Sequence, residues 1–168
     1  MGTRTHKHTE AHSTLVPQYG IAVSVGFQVQ SDASTVHGNL GDTEWRGVDL
    51  ATGEVIFHSA VYPNATNNQG EFLAIVHALA WLYEKERPRE PVYSDSQTAR
   101  AWVRNGEAQT QHTPSAEVLG LLARAEKWLR EHPQHNAVRI WNTRAWGETP
   151  ADYHRKPAGF QLQKQSQS

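Results

Sequence analysis

The order in which the hydrophobic period changes along the chain limits the folds open to it. Three segments of strand character come first, and helices enter only afterwards, alternating with two short apolar strands. Gly20 to Asp32 alternates in its second half, with Phe27 and Val29 on one face and Gln28, Gln30 and Asp32 on the other. Glu44 to Leu50 and Glu54 to Ser59 are two further strands, joined by a hairpin-type turn at Ala51-Thr52-Gly53. Strands joined by short turns pair antiparallel, so three antiparallel strands come first. The strands and helices that alternate after them make an α/β pattern.

From Gly70 to about Glu86, Phe72, Ile75, Val76, Leu79 and Leu82 recur at helical spacing, with Asn67 or Asn68 available as cap and Glu71 in the first turn. Pro91 to Ser94 is a short strand, ended by Asp95, and Ser96 caps a helix that reaches about Arg104. Thr113 and Pro114 open a helix through Val118, Leu121, Leu122, Ala125, Trp128 and Leu129. Val138 to Trp141 is a last strand, and Pro150-Ala151-Asp152 begins a final short helix.

Four carboxylates thus fall at element ends or first turns: Asp32, Glu71, Asp95 and Asp152. Acids gathered in one pocket need positive charge to offset their repulsion, and hard divalent cations with oxygen ligands supply it. Sites of this kind cut or join phosphodiesters. With those four set aside, 13 of the 17 acidic residues remain against 16 basic ones, a mildly basic remainder that permits a nucleic-acid partner.

A chain of 168 residues suits one globular domain, placed at residues 18–157, with polar and disordered tails at 1–17 and 158–168. His6, His8 and His12 belong to the first tail and are read as solvated. The absence of cysteine excludes disulfides and thiolate metal centres and suits a reducing, cytoplasmic setting. No apolar run approaches the roughly 18 residues of a membrane span, and the polar start is unlike a secretory signal.

Several strings carry a resemblance to a known family. Thr66-Asn67-Asn68 before Glu71, Ser94-Asp95-Ser96-Gln97 after a short strand, and the run from Trp146 to Asp152, WGETPAD, resemble type 1 ribonuclease H, the last being similar to a compact bacterial subgroup. Gly38-Asn39-Leu40-Gly41 followed by Glu44-Trp45-Arg46-Gly47-Val48 is similar to that subgroup's turn after its first catalytic strand. The resemblance covers about residues 25 to 156, with the motifs in order.

The resemblance implies a ribonuclease H-like α/β fold, a mixed five-stranded sheet with three antiparallel strands first and then two parallel, flanked by helices. It also implies sequence-nonspecific hydrolysis of the RNA strand of RNA–DNA hybrids, leaving 5′-phosphate and 3′-hydroxyl ends. It maps the ligands of two Mg²⁺ ions, with Mn²⁺ as a substitute, onto Asp32, Glu71, Asp95 and Asp152. Asn39, Asn67 and Gln97 would read 2′-hydroxyls in the minor groove, with Asn68 and Ser96 beside them and the backbone at Gly38 and Gln69 close to the RNA. A monomer without obligate protein partner or membrane is expected. Two other readings are a nuclease of the same general fold acting on another nucleic acid, and a catalytically silent hybrid-binding module.

The chain departs from the family pattern in three places. Asp32 and Asn39 are one residue further apart than usual, which raises a register question in the first strand. The loop histidine that many relatives carry before the last acid is replaced by Asn142-Thr143-Arg144, leaving Glu148, then His154, as candidates for proton transfer or product release. Residues 105–113 hold no Lys or Arg, so the basic protrusion of some relatives is absent and grip would rest on groups such as Arg144, Arg155 and Lys156. Trp81, Trp102 and Trp128 fall in apolar helical stripes and read as core, with Trp102 or Trp45 at the border of a binding groove, while His58 and His77 read as satisfied core partners.

Overall fold

A computed structural model describes residues 15–29 and 40–153. Six strands, β1 (Ile21–Val29), β2 (Gly41–Asp49), β3 (Val55–His58), β4 (Tyr62–Ala65), β5 (Val92–Ser94) and β6 (Val138–Ile140), form one sheet with four helices, α1 (Asn67–Glu84), α2 (Gln97–Asn105), α3 (Ala116–Glu131) and α4 (Thr143–Trp146). The main path runs β3-β2-β1-β5-β6, and β4 pairs β2 off that path. The pairings β1–β2 and β2–β3 are antiparallel, whereas β1–β5 and β5–β6 are parallel. This is the mixed sheet, antiparallel first and then parallel, that the resemblance implies, extended by one short strand.

The parallel half follows from the helices between its strands: α1 lies between β4 and β5, and α2 and α3 lie between β5 and β6. The antiparallel half follows from the turn after Asp49, where Asp49 Oδ1 accepts the Ala51 N–H at 3.0 Å and Gly53 takes a φ of 80° that side chains disfavour.

Helix α1 buries Phe72, Ile75, Val76, Leu79 and Leu82 at 5 % exposure or less, against Ile21, Val23 and Val92 of the sheet and Val118, Leu122 and Leu129 of α3. Each such large apolar side chain contributes about 1.5–3 kcal/mol by leaving water. The helix rides close to the sheet because Gly70 has no side chain: a Cβ there would sit 2.4 Å from Thr43 Oγ1 and 3.3 Å from both Val25 methyls. That close approach brings the next residue, Glu71, over the carboxyl end of the central strands.

Several boundaries differ from expectation. The α1 cap is Thr66 rather than Asn67 or Asn68, because a capping box forms: Thr66 Oγ1 accepts the Gln69 N–H and Gln69 Oε1 accepts the Thr66 N–H. Glu71 is therefore the fifth helical residue, past the first turn. Helix α3 begins after a Ser115 cap, not at Thr113-Pro114. The short helix near the end is α4, capped by Asn142, whereas Asp152 follows a turn closed by its own N–H on Thr149 O at 2.9 Å. The expected tails fall mostly outside the described residues, at 1–14 and 154–168.

Candidate active site

Strand β5 ends at Ser94, which is fully buried and whose hydroxyl donates to Glu71 Oε1 at 3.5 Å while accepting the Ser96 N–H at 3.1 Å. Asp95 follows at the strand end, and Ser96 caps α2 by accepting the Ala99 N–H. One serine thus ties the turn carrying Asp95 to the helix carrying Glu71. The backbone is fixed from the far side too, since Ser94 O accepts the Trp141 N–H at 2.8 Å.

Asp152 is held by a different device. Arg46, on β2, donates through Nε to Ala151 O and through Nη2 to Asp152 O, each at 2.8 Å, and its guanidinium lies 4.6 Å from the centre of the Tyr153 ring. Buried Thr149 accepts the Ala151 N–H at 2.9 Å. The turn bearing the last acid is therefore pinned to the sheet rather than left to the loop.

The three carboxylates act on one another. Glu71 is 5 % exposed and its pKa is pushed up to about 8, first by burial and then by the charge of Asp95, with the Ser94 hydroxyl opposing and Asp152 adding a smaller push. Asp95 opens to solvent at the surface, yet the protein around it raises its pKa, and Asp152 raises it further. No cationic side chain is among the groups acting on either acid. A set of oxygen donors with uncompensated negative charge suits a hard divalent cation. As they stand, no three acid or imidazole side chains among the described residues lie close enough to hold one ion.

Asp32, Gly38, Asn39, His154, Arg155 and Lys156 lie outside the described residues. The described part of β1 reads IAVSVGFQV and has no acid. Ile21 pairs with Val92 and Ala22 with Tyr93, so two residues further on Ser24 draws level with Asp95. In this register no acid of the described part of β1 lies level with Asp95.

A groove of about 500 Å³ is lined by Val29, Asn67, Asn68, Thr98, Trp102 and Gln111 among others. Asn67 and Gln97 are exposed and Asn68 and Ser96 half-buried. Gln69 is different: it is fully buried, and beyond its capping bonds its Nε2 donates to Thr110 Oγ1 at 3.1 Å and to His112 O at 2.9 Å. Its side chain fastens residues 110–112 along the groove wall. Reading the sequence for Lys and Arg alone passed over this segment; its Gln and Thr content was the available signal.

Trp102 borders the groove, at 7 % exposure. Trp45 is instead a core residue, its indole N–H donating to His77 Nδ1 at 3.1 Å and its ring stacked on Tyr62. His77 also stacks on Phe57 at 3.8 Å and is a satisfied partner, as expected. His58 is not a core residue: it lies on β3, exposed, and pairs with Glu44 at 3.2 Å. Trp81 and Trp128 are half-buried. Glu148 and Arg144 are exposed beside the last turn.

No protein-family model matches the chain. Solved structures that it is similar to include the N-terminal RNase H domain of Rv2228c from Mycobacterium tuberculosis, solved as a fusion with maltose-binding protein, at 15% identity over 75% of this chain and 90% of that one, with a TM-score of 0.46. RNase H1 of Halobacterium salinarum NRC-1 aligns at 18% identity over 72% of this chain and 83% of that one, TM-score 0.40. LC11-RNase H1, isolated from compost by a metagenomic approach and solved in complex with an RNA/DNA hybrid, aligns at 15% identity over 74% and 86%, TM-score 0.43.

Proposed function

We propose that this protein is a metal-dependent endoribonuclease that cuts the RNA strand of RNA–DNA hybrids without regard to sequence. The observation that carries the reading is that the charges of Asp95 and Asp152 act on Glu71 and that of Asp152 on Asp95, with Glu71 buried and no cation acting on it. The order of the TNN, SDSQ and WGETPAD strings along the sequence points the same way.

Glu71, Asp95 and Asp152 would hold two Mg²⁺ ions, or Mn²⁺ in their place, with Asp32 as the fourth ligand. When bound, such ions lower the pKa of water and stabilise charge on the leaving oxygen, giving 5′-phosphate and 3′-hydroxyl ends. The chain's own part is placement. Ser94 fixes Glu71 and the Asp95 turn together, and Arg46 sets the height of Asp152. Asn39, Asn67 and Gln97 would read ribose hydroxyls, with Asn68 and Ser96 beside them and the backbone at Gly38 and Gln69 close to the RNA, while the Gln69 side chain braces the groove. Glu148, exposed beside the Asp152 turn, would take protons or help product leave. No described helix is long and apolar enough to cross a membrane, and we place the protein in the cytoplasm as a monomer.

The test is cleavage of a labelled RNA–DNA hybrid beside RNA duplex, DNA duplex and single-stranded RNA, with Mg²⁺, Mn²⁺ or chelator. Cutting confined to the hybrid's RNA strand and lost in chelator is expected. The acid-free described stretch of β1 favours a second reading, a silent hybrid-binding module. Tight hybrid binding by the folded protein with no cleavage in either metal would select it.

A further inference from the structure

Away from the acids, α2 turns two arginines towards a hollow of about 290 Å³ between that helix and the chain entering β6. Arg100 and Arg104 are one helical turn apart on this side, and Val103 and Val138 are among the apolar residues that line it with them. Arg100 is half-buried and its Nε is buried without a hydrogen-bond partner. No described carboxylate pairs with either guanidinium. Two acids border the adjoining hollow that Arg104 shares: Glu107, and Glu126, whose Oε2 accepts the Ala108 N–H at 2.9 Å. His135 lines both hollows, and because the Asn136 carbonyl at 2.8 Å only accepts, its Nδ1 carries the proton and leaves Nε2 as the basic nitrogen.

We propose that this hollow is a binding site for a phosphate group, separate from the carboxylate cleft. Two like charges on one helix face repel, and a buried N–H without an acceptor is unfavourable; one tetrahedral oxyanion relieves both. Phosphate suits the pair better than a carboxylate does, since its oxygens are enough to receive the Nε edge of Arg100 and the end of Arg104 together. Burial and the neighbouring Arg104 both lower the Arg100 pKa, the mark of a cation lacking its counter-charge.

The phosphate has two possible sources. Arg100 and Arg104 lie roughly 7 and 13 Å along the helix from Asp95, at 1.5 Å per residue, which is within reach of a nucleic-acid strand leaving the cleft. A free phosphate or a phosphate-bearing small molecule offers the same group.

The experiment titrates the full chain with inorganic phosphate by calorimetry, in chelator and with chloride holding ionic strength constant, so that neither cleavage nor a metal contributes. Saturable binding is expected, falling at least tenfold in Arg100→Gln and in Arg104→Gln and unchanged in Arg124→Gln, an exposed α3 arginine. Arg104 is exposed, so its variant keeps the test open if Arg100→Gln folds poorly. Thermal unfolding adds a second readout: without phosphate Arg104→Gln melts no lower than wild type, and with saturating phosphate wild type melts higher. Absence of saturable binding, or equal binding by wild type and Arg104→Gln, overturns the site. Hybrid binding then assigns the source. A drop of about 1 per arginine in the slope of log affinity against log salt marks a strand phosphate, and an unchanged slope with phosphate binding lost marks a free one.

Discussion

The Ser94 hydroxyl, fully buried at the end of β5, donates to Glu71 Oε1 at 3.5 Å and is the hydrogen-bond donor that the described structure offers to that carboxylate. One hydroxyl does not balance a buried charge, and Asp95 and Asp152 both oppose ionisation, so Glu71 stays protonated up to about pH 8 when no cation is bound.

Stability should therefore depend on pH in a direction unusual for a carboxylate. In the unfolded chain Glu71 loses its proton near 4.5, but in the folded chain it keeps it to about 8. Folding then favours the protonated form, so its contribution is complete below pH 4.5 and is lost as pH rises through 8, a loss on the order of a few kcal/mol. Urea unfolding in chelator at pH 5.5, 7 and 8.5 should show this decline, and Glu71→Gln should flatten it. Saturating Mg²⁺ should restore stability at the alkaline end, since binding to the folded state alone adds RT ln(1 + [L]/Kd).

Asp95→Asn should abolish hybrid cleavage, by 10³-fold or more on the order expected for losing a metal ligand, while shifting the melting point little, because charge is removed and almost no volume. Full activity in this variant would sink the site assignment. Asp32→Asn is the more telling partner. If Asp32 completes the set, the loss should match that of Asp95→Asn; full activity would mean that three carboxylates suffice with β1 in its described register.

The long helix was legible because Phe72, Ile75, Val76, Leu79 and Leu82 recur at helical spacing over about three turns, and all five are buried. Its true start was legible as well, since Thr66 with Gln69 three residues later is a capping-box signature, but the adjacent asparagines drew the assignment. Strand β4 was not legible: Pro63 cannot donate to a ladder and Asn64 takes a φ of 59°, so local preference argues against a strand that forms only because β2 leaves its Gly41–Thr43 end unpaired on that side. His58 was misread because apolar neighbours do not reveal that β3 is an edge strand. At the site, the acids were legible as strings, but what holds them was not, because Arg46 and Asp152 are brought together across 106 positions.

Glu86 offers a check on the backbone away from the site. It sits just past the end of α1 with a φ of 57°, where the Arg87 N–H reaches back to Leu82 O at 3.0 Å. Helix ends of this shape favour glycine, which adopts positive φ without steric cost. Glu86→Gly should raise stability by about 0.5–1 kcal/mol in urea unfolding, with hybrid cleavage unchanged.

Arg46 tests whether the last acid depends on its anchor. Its two bonds to the carbonyls of Ala151 and Asp152 come from a charged donor, a class worth about 1.5–3 kcal/mol each when a partner is left unsatisfied. Arg46→Met keeps the aliphatic stem and removes both bonds, so the turn carrying Asp152 should loosen. We expect a cleavage rate lower by roughly 10- to 100-fold, as for residues that orient metal ligands, with a higher Mg²⁺ concentration needed for half-maximal rate and an unchanged KM for hybrid. Arg46→Lys should recover stability more than activity, because one ammonium reaches a single carbonyl well but cannot span the two at fixed height. A rate loss that no Mg²⁺ concentration offsets, together with a raised KM, would show instead that Arg46 acts on the nucleic acid and not on Asp152.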